Sequence, residues 1–292
     1  MLLSIIWNPD PVMFSVGPLS VRWYGFFYAL GFFIAITIIA RIFKHDGAPE
    51  SWVDKVFIYM ILATIIGARL GHVFFYDWDY YSQHPAEILM VWKGGLASHG
   101  GAAALLLTAW LMSKYMTKQS IFWLADRVFV GAMAVAPLIR LGNLMNSEIY
   151  GHPTTMPWGF VFERGHERFF DAAGNLLPCH PTQLYEAAAY LLIFALLMWL
   201  YWKKDAGSYN GLLTGVGFTG VFLARQIIEF LKNDQSAFEA DMTFNMGQWL
   251  SLPFVILGIV LIIRALKKGK VVYHLPAEKA APAKENKKPG KA

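Results

Sequence analysis

Apolar stretches of about 20 residues, the length that crosses a bilayer core, recur near 22–42, 55–75, 95–113, 121–141, 182–202, 211–230 and 246–265. Short polar, glycine- or proline-bearing segments separate them. This pattern predicts seven membrane-spanning helices and an all-α polytopic membrane fold. Only between the fourth and fifth spans does a longer polar-mixed segment intervene. With WGFVF, the turn-like DAAGN and Pro153, Pro157, Pro178 and Pro181, it reads as a small extracytoplasmic cap over about 142–181. The predicted organisation is a seven-span catalytic domain over 1–265 followed by a basic tail over 266–292, whose end, PAEKAAPAKENKKPGKA, is low in complexity.

Composition agrees with a membrane protein: 56% of the 292 residues are hydrophobic and only 15% charged, too apolar for an ordinary soluble domain. The net charge of +5 does not point to nucleic acid, because nine of the 25 Lys and Arg residues lie in 264–292, as a cytoplasmic tail would carry them. With an odd number of spans the termini face opposite sides. Placing the tail inside puts sixteen Lys and Arg on that side and five outside, so the N-terminus is expected outside and the C-terminus in the cytoplasm. Residues 1–19 carry Pro9, Asp10, Pro11 and Pro18 and no basic start, so no cleaved signal peptide is expected. The single cysteine, Cys179, excludes an internal disulfide. No Cys/His spacing suggests zinc, and neither a metal nor a cofactor is implied.

The chemistry lies where apolar runs end in groups that lipid rejects. Arg69, Arg127, Arg140 and Arg225 fall in or at the ends of spans, at a cost of several kcal/mol each unless they face a protein interior or water. Under the alternation of span direction, Arg69 with His72, Arg140 with Asn143, and Arg225 with Glu229 reach the outer face. So do the beginnings of the odd spans at Tyr24, His99, Gln183 and Gln248. Asp126 and Arg127 are the exceptions, at the other end of span four, where a structural or interfacial role is expected. The outer cluster predicts one polar cavity with a surplus of positive charge. Glu229 stands four residues after Arg225 and can pair with it. One or two guanidinium groups then await an anion, and their planar fork suits phosphate. GARLG (67–71) lets helices approach closely, and SHGG (98–101) sets an imidazole before two glycines. Cys179 beside His180 has no surrounding nucleophile signature. A transporter or channel for an anionic solute would also place arginines in a membrane cavity, but no internal repeat is visible and the polar groups stop at one face.

WYG (23–25), GARLGHVFFY (67–76), SHGG (98–101), RLGNLMNSEIYG (140–151), HPTQLYE (180–186), RQIIEF (225–230) and MGQWLS (246–251), in that order, resemble the prolipoprotein diacylglyceryl transferase family over essentially the whole chain except the tail. The resemblance implies a bacterial inner-membrane enzyme that moves the diacylglyceryl group of phosphatidylglycerol to the lipobox cysteine of a preprolipoprotein signal peptide and releases glycerol 1-phosphate. Membrane lipids surround it and its active site faces the outer leaflet. The family signature falls on Arg140, Gly142, Asn143, Asn146, Glu148 and Gly151, its second arginine and acidic partner on Arg225 and Glu229, its tyrosine on Tyr24 and its histidine on His99. Catalytic roles are expected for His99, Arg140, Arg225 and Glu229. Substrate binding is expected for Arg140, Tyr24, Asn143, Asn146, Glu148, Gly151 and Arg69. Lys232 departs from a position that is often arginine in the family.

Overall fold

In the computed structural model, residues 4–91, 94–233 and 244–276 are described. The chain divides into two compact units, Met1–Ile39 with Lys118–Val272 and Ala40–Thr117 with Tyr273–Ala292. The predicted tail boundary at 266 falls inside a helix that runs to Lys268, because the apolar spacing continues through Ile263, Ala265 and Leu266. Residues 277–292 of that tail lie outside the described residues.

Among the described residues eight α-helices carry the fold: α1 (Trp23–Asp46), α2 (Ser51–Phe75), α3 (Trp78–Gln83), α4 (Ser98–Leu111), α5 (Ile121–Met145), α6 (Thr182–Lys204), α7 (Leu212–Ile228) and α8 (Met246–Lys268). Among the described residues six helices are long and apolar enough to cross a membrane: α1, α2, α5, α6, α8, and α7 with its 3-10 extension to Leu231. The seventh window differs from expectation. Gly94 and Gly95 take positive φ (89° and 72°), so helix cannot begin at 95 and starts at Ser98. The 14 residues of α4 rise only about 21 Å, and a π-helical turn, Met112–Thr117, continues them.

The larger unit is not purely helical. Its β1 (Ile5–Trp7) pairs in parallel with β4 (Phe160–Phe162), and β2 (Val12–Val16) forms an antiparallel hairpin with β3 (Leu19–Arg22). Phe160 exchanges backbone hydrogen bonds with Cys179 (2.9 and 2.8 Å), adding a third segment beside β4. Leu144, Tyr150, Phe160, Phe162 and Cys179 close a small core under these strands. Trp7 Nε1 donates to the Leu144 carbonyl at 2.9 Å, which also accepts from Ser147 N at 3.0 Å, tying β1 to the C-terminus of α5. That helix runs to Met145, so the segment expected to start near 142 begins later.

Ser120 opens α5 by accepting from Phe122 N, and Pro137 sits buried inside it, leaving the Met133 carbonyl without its usual donor. An Asn245–Gln248 capping box opens α8: Gln248 Nε2 also donates to the Gln226 carbonyl at 3.3 Å, which occupies a side chain the sequence placed in the polar cluster.

In the smaller unit, GARLG meets SHGG. A Cβ on Gly100 would overlap the Gly67 carbonyl, and one on Gly71 would lie 2.7 Å from Gly100 Cα. The two backbones touch because neither helix carries a side chain there. Gly100→Val is therefore expected to destabilise this helix pair by about 1–3 kcal/mol or more. The check is earlier protease cleavage within Ala40–Thr117 in the detergent-solubilised protein; an unchanged cleavage profile would contradict the packing.

Candidate active site

The polar end of α5 and the turn after it build the centre of the larger unit. Arg140, Asn143 and Glu148 form a relay: Arg140 Nη1 donates to Asn143 Oδ1 (3.2 Å), and Asn143 Nδ2 donates to Glu148 Oε1 (2.8 Å). Asn146 Nδ2 supplies a second donor to the same oxygen at 3.1 Å. The turn that presents Glu148 is unusual, since Ser147 (φ 52°) and Ile149 (φ 60°) both occupy left-handed backbone. Such geometry survives only where neighbours impose it. Here Gln183 Nε2 donates to the Glu148 carbonyl (2.7 Å), Thr182 Oγ1 to the Ile149 carbonyl (2.9 Å), and Gly151 N to the His180 carbonyl (2.9 Å). HPTQLYE thus holds the turn open.

An ionic chain runs from Arg140 through two further elements. Arg140 Nε lies 2.9 Å from Glu186 Oε2, and Glu186 Oε1 accepts from Lys232 Nζ at 2.9 Å. Lys232 also reaches Glu229 Oε2 at 3.2 Å, and that oxygen lies 3.7 Å from Arg225 Nε. Tyr190 OH donates to Glu186 Oε1 at 3.3 Å, and Asn245 Nδ2 to Glu229 Oε1 at 3.4 Å. The order is Arg140, Glu186, Lys232, Glu229, Arg225, alternating in sign. Both carboxylates are essentially buried, whereas the side chains of the terminal arginines keep 19% and 33% of their surface exposed.

This corrects the expected charge balance. Arg140 does have an internal partner in Glu186, and Lys232 is only 3% exposed. Three cations face two carboxylates within the chain, and Glu148 stands two hydrogen bonds away, so the cluster as a whole carries no large surplus. The guanidinium groups are the accessible ends of the chain and the carboxylates lie buried between them. Neither Glu186 nor Lys232 was assigned a role from sequence. The one available signal was that each ends a polar motif at the edge of an apolar span, HPTQLYE and RQIIEFLK.

Other expected residues resolve differently. Tyr24 packs directly on the backbone of Gly142, where a Cβ would lie 2.7 Å from Tyr24 Cδ2, so this glycine admits the ring beside Asn143. Gly151 has no room for a ligand: its backbone bridges Lys232, and a Cβ would overlap the Leu231 carbonyl. Its close approach brings the backbone of Lys232 alongside. In the smaller unit Arg69 is 3% exposed and spends its guanidinium on four backbone carbonyls, Glu87 (2.6 Å), Ile88 (2.8 Å), Gly94 (2.6 Å) and Gly95 (3.2 Å), with Tyr81 beneath it at 4.8 Å. The expected substrate-binding arginine is a loop clamp, since a guanidinium with its donors taken up by carbonyls offers little to a phosphate. His99 lies exposed in the first turn of α4, its Nδ1 3.4 Å from Tyr76 OH, and Tyr76 in turn stacks on His72.

At the opposite end of α5, Asp126 accepts from Gly211 N (2.7 Å), Thr214 N (2.8 Å) and Thr214 Oγ1 (2.7 Å), while Arg127 donates to the Trp123 and Gly207 carbonyls. Both ends of this pair are bound into helix starts and turns. Cys179 is buried, and burial pushes its thiol up to about 11, so it stays protonated and unreactive at neutral pH. Burial and the nearby His152 lower the proton affinity of His180. Among the described residues no three His, Cys, Asp or Glu side chains gather as metal ligands would.

The sequence model of the prolipoprotein diacylglyceryl transferase family matches residues 11–264. Proteins named phosphatidylglycerol-prolipoprotein diacylglyceryl transferase are similar throughout. One from Chloroherpeton thalassium is 48% identical over 267 residues, covering 91% of this chain and 96% of its own. One from Porphyromonas gingivalis is 48% identical over 269 residues (90% and 95%), and one from Tolumonas auensis 43% identical over 264 residues (90% and 98%). With residues 11–264 matched by the family model and relatives 48% identical over nine-tenths of its length, the chain belongs to the prolipoprotein diacylglyceryl transferase family.

Proposed function

We propose that this protein transfers the diacylglyceryl group of phosphatidylglycerol to the lipobox cysteine of preprolipoproteins. The observation that carries the reading is the alternating chain with guanidinium at both accessible ends, in a member of a family so named. The reaction forms a carbon–sulfur bond and breaks the bond between a glycerol carbon of the diacylglyceryl group and its phosphate oxygen. The electron pair leaves with glycerol 1-phosphate, and the thiol proton goes to a base. Charge grows on the departing phosphate, so fixed donors at its oxygens lower the barrier. Arg140 and Arg225 supply them, Glu186 and Glu229 aim them, and Asn143, Asn146 and Glu148 orient the headgroup side. His99 is the candidate base, since an imidazole accepts protons near neutral pH.

The membrane arrangement belongs to the same proposal. α4 with its π-helical continuation supplies a seventh span. The N-terminus faces outward, the C-terminus inward, and the 146–181 segment forms an extracytoplasmic cap at the outer leaflet of the inner membrane. Lipid enters sideways from that leaflet and the peptide's cysteine at the same surface. The anion-transporter alternative is disfavoured because Asp126 and Arg127, the ionisable pair at the far end of α5, are engaged by backbone and Thr214 rather than lining a path.

Purified protein incubated with headgroup- or acyl-labelled phosphatidylglycerol and a lipobox peptide tests the activity. Acyl label should move to the peptide only when its cysteine is present, and headgroup label should appear as glycerol phosphate. Transfer to a cysteine-free peptide, or none to either, would overturn the reading. His99→Gln is expected to slow transfer about 10²-fold if the imidazole takes the thiol proton. A change below about threefold would reassign it to holding Tyr76.

A further inference from the structure

Beside the ionic chain, and sharing Lys232 and Glu148 with the site, lies a cavity whose remaining polar groups the transfer chemistry does not use. It has a volume of about 210 Å³, room for about seven waters, and opens among Ser147, Glu148, Tyr150, Glu167, Lys232 and Asn233. Asn233 is only 8% exposed, yet neither its Nδ2 nor its Oδ1 has a hydrogen-bond partner. Ser147 Oγ, on a residue 1% exposed, is unpartnered as well. Buried polar atoms left unpaired cost about 1–3 kcal/mol each, so three at one cavity mark a place built for an absent partner.

The chemistry of the lining selects that partner. Lys232 contributes no free charge, because Glu186 and Glu229 both hold its ammonium. The other ionisable groups of the lining are the exposed imidazole of His166 and the carboxylates of Glu148 and Glu167; the two carboxylates disfavour a phosphate and accept N–H groups. A primary amide presents donor and acceptor side by side, the complement of the N–H and C=O that one residue of an extended chain turns to the same side. The cavity also adjoins the reacting end directly, since Glu148 both lines it and receives Asn143, the partner of Arg140.

We infer that this cavity is the docking site for the backbone of the polypeptide substrate just beyond its cysteine, with Asn233 and Ser147 pairing to the N–H and C=O of an extended residue. The inference rests on the proposed lipidation of a cysteine-bearing peptide. It explains how one enzyme accepts many sequences after the cysteine: contacts to backbone read no side chain.

The test compares two peptides on the full-length protein, one ending in an amide at the cysteine and one continuing through several residues. Asn233→Ala is expected to raise KM for the longer peptide about tenfold, the loss of a hydrogen bond or two, while leaving KM for the short peptide and for phosphatidylglycerol unchanged. Should this variant misfold, N-methylation of successive amides in the longer peptide, assayed on the unaltered protein, should reproduce the effect at one or two positions only. An equal change for both peptides, a change in KM for phosphatidylglycerol instead (a lipid-glycerol pocket), or indifference to N-methylation at every position would overturn the assignment. Absence of transfer to either peptide by the unaltered protein would instead defeat the underlying activity, and the two failures are told apart by that control.

Discussion

Arg140→Ala should abolish measurable transfer, lowering the single-turnover rate with saturating phosphatidylglycerol by at least about 10²–10³-fold, the effect of removing a preorganised donor at a developing oxyanion. The fold should survive. Glu186, which loses its arginine, keeps Lys232 at 2.9 Å and Tyr190, so no buried carboxylate is stranded. Arg140→Lys separates geometry from charge: an ammonium retains the sign but not the fork that can face Glu186 and a phosphate together, and intermediate activity is expected. A purified Ala variant with an unchanged thermal midpoint and near-normal turnover would contradict a phosphate-gripping role.

Glu186→Ala is expected to produce the largest loss of stability. It removes the single anion between Arg140 and Lys232, leaving an ammonium 3% exposed with Glu229 as its remaining acidic neighbour. Breaking a buried ion pair from one side costs about 3–5 kcal/mol, and the guanidinium it aimed is released, so activity falls as well. Thermal or denaturant unfolding in detergent reads the first effect and transfer rate the second. The mechanism makes a further demand: in the double variant Glu186→Ala/Lys232→Met, deletion of the stranded charge should recover part of the stability but not the rate, because Arg140 still lacks its carboxylate. Equal midpoints for single and double variants would show that the chain is not coupled as described.

Much of the site was legible because it is local. RLGNLMNSE places Arg140 and Asn143 three residues apart on one helical turn, and RQIIE places Arg225 and Glu229 four apart, so both contacts follow from helical pitch. Glu186 and Lys232 were not legible as ligands of each other: 46 residues separate them, and nothing in either local pattern states which face of one helix will meet the end of another. The same holds for Arg69. Its place near a span end suggested a phosphate ligand, whereas its partners are carbonyls 18 to 26 residues onward, in a glycine-bearing loop that folds back over it.

By itself, then, the sequence determined the helical membrane architecture, the family and the identities of the arginines, because hydrophobicity, short-range spacing and ordered motifs are properties of neighbouring residues. Only the tertiary structure decided the charge balance. Burial let two distant carboxylates and one lysine join the arginines into an alternating chain, and in a low-dielectric interior such charges are stable only when paired. It also decided that Gly94 and Gly95 delay α4, through backbone angles that no neighbouring side chain announces.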